Sequence, residues 1–248
     1  RGQGKTPGSI HEFMAVHSLN ALVGNINRVG GVWAVPEPDY INWPGVEMDP
    51  VAASGVKEPR VDGAGSKKYP NARHLLSRLP EAINSRQEPV LQALFVAEAN
   101  PLYTMPDSAA VKKAFDKIPL IVSFSSYMDE TAASADFILP NHTYLERYED
   151  IPSPAGIQYP FLGLAQPAME PLYNTRNIGD VIIAMAGAMG GTMADAFPWK
   201  NYETCLKQTL GNKWKTLTEK GFIYDTGFRA PGWFDSFGTP SGKFSFSG

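Results

Sequence analysis

The sequence contains a single cysteine, Cys205, among its 248 residues. One thiol cannot form an intramolecular disulfide, and alone it cannot hold an iron–sulfur cluster or a structural zinc ion, which take several ligands. The sequence also lacks an apolar run of about 20 residues, so no segment is predicted to cross a membrane. The chain begins at Arg1, without an initiating methionine or a signal peptide, so we expect it to be part of a longer polypeptide.

An excess of charge of either sign is absent as well. Lysine and arginine number 22 against 25 aspartates and glutamates, and no basic stretch stands out. Nucleic acid is therefore not expected as a partner. The strand-to-helix turns also lack the glycines of the usual G-x-G-x-x-G fingerprint, which would let a pyrophosphate approach the backbone.

The most informative stretch runs from Leu91 to Pro140. Apolar runs of strand length occur in it three times, at Leu91–Ala97, Pro119–Phe124 and Asp136–Leu139. Between them, Asp107–Lys117 has the pattern of an amphipathic helix, and Asp129–Ser134 that of a helical turn. Two consecutive strand–helix–strand crossovers predict an α/β fold, with a parallel sheet flanked by helices.

Outside this stretch, the pattern predicts further helices at Ile10–Val23, Arg73–Ser85 and Asn177–Gly190, and two short helices within 199–221. The second of these helices is expected to be interrupted at Pro80. An aromatic, glycine-containing loop is predicted at Phe222–Phe237. The segment 36–70 is rich in Pro, Gly and Asp and predicts an irregular excursion. It is either a surface loop or an interface, and Tyr40, Trp43 and Tyr69 favour the interface because they are costly to leave in water.

Ligands of open parallel sheets bind outside the carboxyl ends of the strands. The candidate binding loops are therefore Glu98–Asp107, Ser123–Thr131 and the residues that follow Pro140. In the first loop, Asn100 either bonds within its own turn or presents its amide to a nucleotide. In the third loop, His142 is either a catalytic acid or base or a neutral histidine in a hydrogen-bonded loop. The neighbouring Glu146 and Arg147 predict an exposed ion pair.

Three stretches resemble the molybdopterin oxidoreductase family, in the order in which that family has them. They are SLNALVGNINRVGGV from Ser18, EANPLYT from Glu98 followed by IVSFSSYMDETAASADFILP from Ile121, and GTPSGKFSFSG from Gly238. Members of this family hold molybdenum or tungsten between two molybdopterin guanine dinucleotides. The resemblance implies a Rossmann-like dinucleotide-binding region over 1–237, which includes the excursion at 36–70, and the start of a C-terminal cap domain over 238–248.

The resemblance also assigns roles to individual residues. Asn100 and Thr104 correspond to polar contacts after the first strand, and Ser123 to a contact at the end of the second. Asp180 matches the carboxylate that pairs with N1–H and the exocyclic amine of a guanine, although a charge at a helix start would also explain it. The metal ligand and the cysteines of an iron–sulfur cluster are expected in family segments before Arg1, so no metal ligand is predicted in this chain.

The stretch RYEDIPSPAG after Glu146 departs from the usual family continuation. It resembles the branch of polysulfide and thiosulfate reductases and the related subunit of menaquinone reductase complexes. This implies a periplasmic subunit, peripheral to the cytoplasmic membrane, with an iron–sulfur subunit, an integral membrane quinone-interacting subunit and a multihaem cytochrome c as partners. Two functions stay open: a catalytic subunit with a molybdenum or tungsten cofactor, or a homologue that has lost its metal and serves as a structural or docking subunit.

Overall fold

The computed structural model describes residues 9–33, 44–70, 72–154, 157, 159–229, 232, 237, 239 and 241–246. The chain divides into two compact units. The larger unit contains the described residues of Ile41–Glu149 and Ala165–Gly211, and the smaller unit contains the others. None of the helices in these described stretches is long and apolar enough to cross a membrane.

The larger unit is organised around a parallel sheet of three strands in the order β1 (Leu94–Val96), β2 (Ile121–Ser123) and β3 (Phe137–Ile138). Leu94 pairs with Ile121, and Val122 pairs with Phe137. The central strand β2 is buried along its whole length, as a strand covered on both faces should be. The predicted parallel sheet is confirmed. Strand β1 ends earlier than predicted because Glu98 has a left-handed backbone, with φ of 49°.

Short helices make the crossovers between these strands. Helices α4 (Pro101–Thr104) and α5 (Ser108–Phe115) join β1 to β2, and a 3₁₀ turn (Ala132–Ser134) joins β2 to β3. Helix α5 begins where Asp107 Oδ1 accepts a hydrogen bond of 3.0 Å from the N–H of Ala110. Its apolar face packs in a core formed by Ile83, Leu102, Val111, Ala114, Phe115, Ile118 and Ile121. That core supports the sheet from one side and fixes where its strand ends lie.

The remaining helices of the larger unit are α2 (Pro50–Gly55), α3 (Leu79–Asn84), α6 (Ile178–Met189), α7 (Gly191–Ala196) and α8 (Tyr202–Leu210). The predicted break near Pro80 is present: a 3₁₀ turn at Leu76–Arg78 ends there, and α3 begins at Leu79 with Pro80 in its first turn. A helix begins here because its first N–H groups need no intrahelical partner, so proline is tolerated. The start predicted at Arg73 is wrong, because residues 73–75 are not helical.

The predicted excursion at 36–70 is not wholly irregular, because it contains α2. The hydroxyl of Tyr69 accepts a hydrogen bond of 2.6 Å from Arg78 Nη1, and the guanidinium of Arg78 lies over the Tyr69 ring. Tyr40 and Trp43, which favoured an interface, lie outside the described residues. The interface therefore stays a prediction.

The smaller unit has helices α1 (Ser9–Leu22) and α9 (Lys213–Lys220) and a sheet in the order β4 (Glu149–Ile151), β5 (Phe161–Ala165) and β6 (Phe222–Tyr224). Strand β6 runs antiparallel to β5, with Phe161 opposite Tyr224. The loop predicted from Phe222 thus begins as a strand, because its aromatic and β-branched residues pair with β5. The two helices predicted within 199–221 are confirmed as α8 and α9. The cap-domain boundary at Gly238 stays a prediction.

Candidate functional site

The loops that follow the three parallel strands line one cleft of about 790 Å³, which we call the strand-end cleft. Glu98–Asn100 follow β1, residues of 124–129 follow β2, and Asn141–Arg147 follow β3. A fourth segment, with residues of 169–175, completes the lining. The rule that ligands bind at the carboxyl ends of parallel strands, which we call the strand-end rule, therefore identified three of the four segments that line the cleft. It did not identify the fourth segment.

Asn141 joins these loops to one another and is only 1% exposed. Its backbone N–H donates to the carbonyl of Phe124 at 3.3 Å, and its own carbonyl accepts from Ser126 Oγ at 2.7 Å. Its side-chain Nδ2 donates to Glu98 Oε1 at 3.1 Å, and Oδ1 accepts from the N–H of Ile178 at 2.9 Å. One buried residue thus ties all three loops to the first turn of α6.

Glu146 holds the fourth segment in place. Its Oε1 accepts a hydrogen bond of 3.0 Å from the N–H of Leu172, and its Oε2 accepts one of 2.9 Å from the N–H of Thr143. These backbone N–H groups lower the pKa of the Glu146 carboxyl, although burial opposes them. The buried carboxylate is therefore a charged link between the loop after β3 and the segment 169–175.

Arg147 does not form the predicted exposed pair with Glu146, and that prediction is wrong. Its Nη2 lies 2.5 Å from Glu98 Oε1 and 3.1 Å from Glu149 Oε2, and its Nη1 donates to the carbonyl of His142 at 3.0 Å. Burial lowers the pKa of Arg147, but the hydrogen bonds to Glu149 and Glu98 outweigh it and raise the pKa. Glu146 instead accepts backbone N–H groups on both of its oxygens, and Arg147 takes its partners from Glu98 and Glu149.

Asn100 lines the strand-end cleft, and its side chain bonds to the next loop rather than within its own turn. Its Oδ1 accepts from Thr131 Oγ1 at 2.7 Å, and its Nδ2 donates to Glu130 Oε2 at 2.6 Å. The latter bond lowers the pKa of Glu130. Thr104, in α4, donates its hydroxyl to the carbonyl of Asn100 at 2.9 Å and does not line the cleft.

Ser123 and His142 take different places relative to the cleft. Ser123 is 1% exposed, and its Oγ accepts a hydrogen bond of 3.3 Å from the N–H of Ser125, so it supports the cleft from beneath. His142 lines the cleft, with its Nδ1 2.7 Å from Thr175 Oγ1. The structure therefore brings Asn100 and His142 to one cavity but does not bring Thr104 or Ser123 to its surface.

Asp180 lines a second cleft of about 260 Å³, which we call the Asp180 cleft. It adjoins the strand-end cleft, with which it shares His142, Glu146, Arg147 and Met169. Asp180 Oδ1 accepts a hydrogen bond of 2.7 Å from the N–H of Tyr202 at the start of α8. Because each carboxylate oxygen has two acceptor sites, Asp180 keeps capacity to accept further N–H groups from a ligand.

The strand-end cleft combines acidic and aromatic groups. Its carboxylates are Glu98, Asp129 and Glu146, and its largely exposed aromatic residues are Tyr127, Tyr144 and Tyr173. Such a lining suits a planar group that carries N–H donors. Across the described residues, no group of three or more His, Cys, Asp or Glu side chains is placed to bind a metal ion.

Comparison with known proteins places this geometry in a family. The model of the molybdopterin oxidoreductase family matches residues 9–188, which is more than half of the chain. This chain belongs to the molybdopterin oxidoreductase family. The α/β fold agrees with this membership. Membership in the family implies a molybdopterin-bound molybdenum or tungsten cofactor.

Individual members are similar over most of this chain. The menaquinone reductase molybdopterin-binding-like subunit of Nitratidesulfovibrio vulgaris is 33% identical over 77% of the chain and 24% of its own length. The thiosulfate reductase molybdopterin-containing subunit of Salmonella typhimurium is 28% identical over 84% of the chain and 29% of its own length. The solved structure of acetylene hydratase from Pelobacter acetylenicus has a TM-score of 0.53 and 25% identity, and the match covers 66% of this chain and 23% of that one. The chain thus spans about a quarter of the length of these relatives.

Sequence reasoning did not single out Glu98, Asn141 or the true partners of Arg147. Asn141 lies two residues after the last predicted strand, so a polar residue near a strand end was the available signal. The pairing of Arg147 with Glu98 leaves no such signal, because the two residues are far apart in the sequence.

Replacing Asn141 by alanine should lower the free energy of unfolding by about 2 to 4 kcal/mol, because it leaves the N–H of Ile178 without its acceptor and removes a donor from Glu98. Urea denaturation measures this loss. The matched control is Asn174→Ala, at an exposed position, which should stay within about 0.5 kcal/mol of the wild type. Equal effects of the two substitutions would contradict the role of Asn141.

Replacing Glu146 by glutamine should destabilise the protein near neutral pH but not in acid. The folded-state pKa of Glu146 is lowered, so its stabilisation is complete above the unfolded value of about 4.3 and is lost as the pH falls through the folded value. Unfolding at pH 7 and at lower pH should therefore show a gap in unfolding free energy between variant and wild type that begins to narrow below about pH 4.3 and closes as the pH falls through the lowered folded-state pKa. Glu170→Gln, at an exposed position, is the control, and a gap of constant size would refute the prediction.

Proposed function

We propose that this chain is the part of a molybdopterin oxidoreductase-family subunit that holds a guanine dinucleotide of the cofactor, in a respiratory complex linked to quinone or cytochrome electron transfer. One observation carries the proposal: the strand-end cleft and the Asp180 cleft adjoin at the carboxyl ends of parallel strands. Nucleotides bind at this place in open α/β sheets. The two adjoining clefts could take the two ends of one elongated dinucleotide.

The residues of the two clefts fit the heterocycles of such a ligand. Asp180 offers carboxylate oxygens to N1–H and the amine of guanine, and the exposed tyrosines of the strand-end cleft offer faces for a planar ring. Asn100 and His142 lie where polar atoms of the ligand would pass. Thr104 and Ser123 act one layer behind, because they fix the backbone of Asn100 and Ser125.

Metal chemistry enters only through the cofactor. Bound molybdenum or tungsten would exchange an electron pair with the substrate, and an iron–sulfur cluster elsewhere in the subunit would relay the electrons. Among the described residues, no group of three or more His, Cys, Asp or Glu side chains is placed to bind a metal ion on its own. Their proposed part is to bind and orient the dinucleotide.

The names of the relatives support the assignment to a respiratory complex. Two of them are subunits of a menaquinone reductase and of a thiosulfate reductase. By this relation, the proposed partners are an iron–sulfur subunit, an integral membrane subunit that interacts with quinone, and a multihaem cytochrome c. The proposed location is the periplasm, at the surface of the cytoplasmic membrane.

A second candidate function is that of a metal-free homologue that serves as a structural or docking subunit. It is favoured by the scarcity of donors for phosphate in the strand-end cleft. The N–H groups of Ser125, Thr143 and Leu172 donate to side-chain oxygens of the protein, and Arg147 is paired with two glutamates. The departure RYEDIPSPAG points in the same direction.

The substitution Asp180→Asn tests the first function. Asparagine keeps an oxygen for the N–H of Tyr202 but puts its amide NH2, a donor, opposite the guanine donors, so dinucleotide binding should weaken by on the order of 2 to 4 kcal/mol. The measurement is the amount of guanine nucleotide released per polypeptide when the purified intact protein is denatured.

The matched control is Asp195→Asn, because Asp195 in α7 lines neither cleft. It should release as much guanine nucleotide as the wild type. Equal release from the Asp180 and Asp195 variants would refute the guanine contact, and a wild type that releases none would favour the second function.

A further inference from the structure

Two hydrogen-bond donors converge on one carboxylate at the edge of the strand-end cleft. Asn141 Nδ2 lies 3.1 Å from Glu98 Oε1, and Arg147 Nη2 lies 2.5 Å from the same oxygen. Asn141 is 1% exposed, and the side chain of Arg147 is 12% exposed. A buried amide and a nearly buried guanidinium that meet at one anionic oxygen are the donor set of a phosphate or carboxylate site.

The two donors are held independently of Glu98. Asn141 keeps its hydrogen bonds to Phe124, Ser126 and Ile178 when the carboxylate leaves. Arg147 keeps Glu149 and the carbonyl of His142. The donors are therefore preorganised, and departure of the Glu98 carboxylate leaves a formed site.

Glu98 itself is the loosely held member of the group. Its side chain is 55% exposed, whereas the side chains of both donors are mainly buried. Its backbone φ of 49° is in the left-handed region, which residues other than glycine, asparagine and aspartate rarely adopt. A side chain on such a backbone, at the mouth of a cleft, needs only a rotation to release its carboxylate into solvent.

We propose that Asn141 and Arg147 form an anion site, that the Glu98 carboxylate occupies it when no ligand is bound, and that a phosphate group of a ligand displaces Glu98. Arg147 is the only lysine or arginine among the described residues that line the cleft. An entering phosphate must therefore compete with Glu98 for this cation. No covalent bond changes: one anion leaves the guanidinium and another takes its place.

The anion site stands on its own geometry, whereas the identity of the phosphate as part of a guanine dinucleotide rests on the proposed function. Inorganic phosphate, pyrophosphate and GDP are therefore tested separately. The first two report on the anion site alone. GDP also requires a place for the base.

Glu98→Gly is the decisive variant, because glycine accepts the left-handed backbone and removes the carboxylate. Titration calorimetry of the full-length protein, prepared free of bound nucleotide and at low ionic strength, should show inorganic phosphate binding at least tenfold more tightly to this variant than to the wild type. Glu98→Asn should behave in the same direction, since asparagine also tolerates that backbone. Addition of Arg147→Met to Glu98→Gly should abolish the gain.

The matched control is Glu149→Gln, which removes the other carboxylate partner of Arg147 and leaves Glu98 in place. It should bind phosphate no more than about twofold more tightly than the wild type. Removal of one nearby negative charge has a small effect at a partly exposed ion pair while Glu98 still occupies the site. Unchanged phosphate affinity in both Glu98 variants, or an equal gain in Glu149→Gln, would overturn the proposal. Tighter phosphate and pyrophosphate binding without GDP binding would support the anion site and count against the dinucleotide as its ligand.

Discussion

The candidate site depends on the buried amide of Asn141. The side-chain amide bonds to Glu98 in the loop after β1 and to the start of α6. The backbone of the same residue bonds to Phe124 and Ser126 in the loop after β2. A buried amide whose nitrogen and oxygen both have partners stabilises one arrangement of its neighbours, since another arrangement leaves a polar group without a partner. The rim of the strand-end cleft is therefore fixed from within, and its variable member is Glu98, which is exposed and carries an unusual backbone conformation.

The parts of this structure that follow from local pattern were predictable from the sequence. Apolar runs of strand length separated by the helix at Ser108–Phe115 indicate a parallel sheet, and the strand-end rule then indicates the loops with Asn100 and His142. The start of α3 at Leu79 and the strand at Phe222–Tyr224 were missed. In both cases, the outcome depends on a partner distant in sequence: the core around Ile83 for the helix, and β5 for the strand.

The electrostatics of the cleft were beyond prediction for the same reason. Glu146 and Arg147 are adjacent in sequence and look like an ion pair, but their partners come from elsewhere: backbone N–H groups for Glu146, and Glu98 and Glu149 for Arg147. Family membership supplies the identity of the expected cofactor. It does not supply the observation that the cleft of this chain is rich in acceptors and that its arginine is already paired. Free donors for phosphate would favour the dinucleotide-binding function, and their scarcity favours the metal-free structural function.

The two proposed functions differ most directly in metal content. A subunit that holds the cofactor contains molybdenum or tungsten, and a structural homologue that has lost the cofactor contains neither. The decisive measurement is elemental analysis of the intact purified protein for molybdenum and tungsten, expressed per polypeptide. The proposed function predicts a near-stoichiometric amount of one of the two metals. Absence of both from an otherwise intact complex would contradict it and would mean that the clefts persist in a subunit whose role is structural.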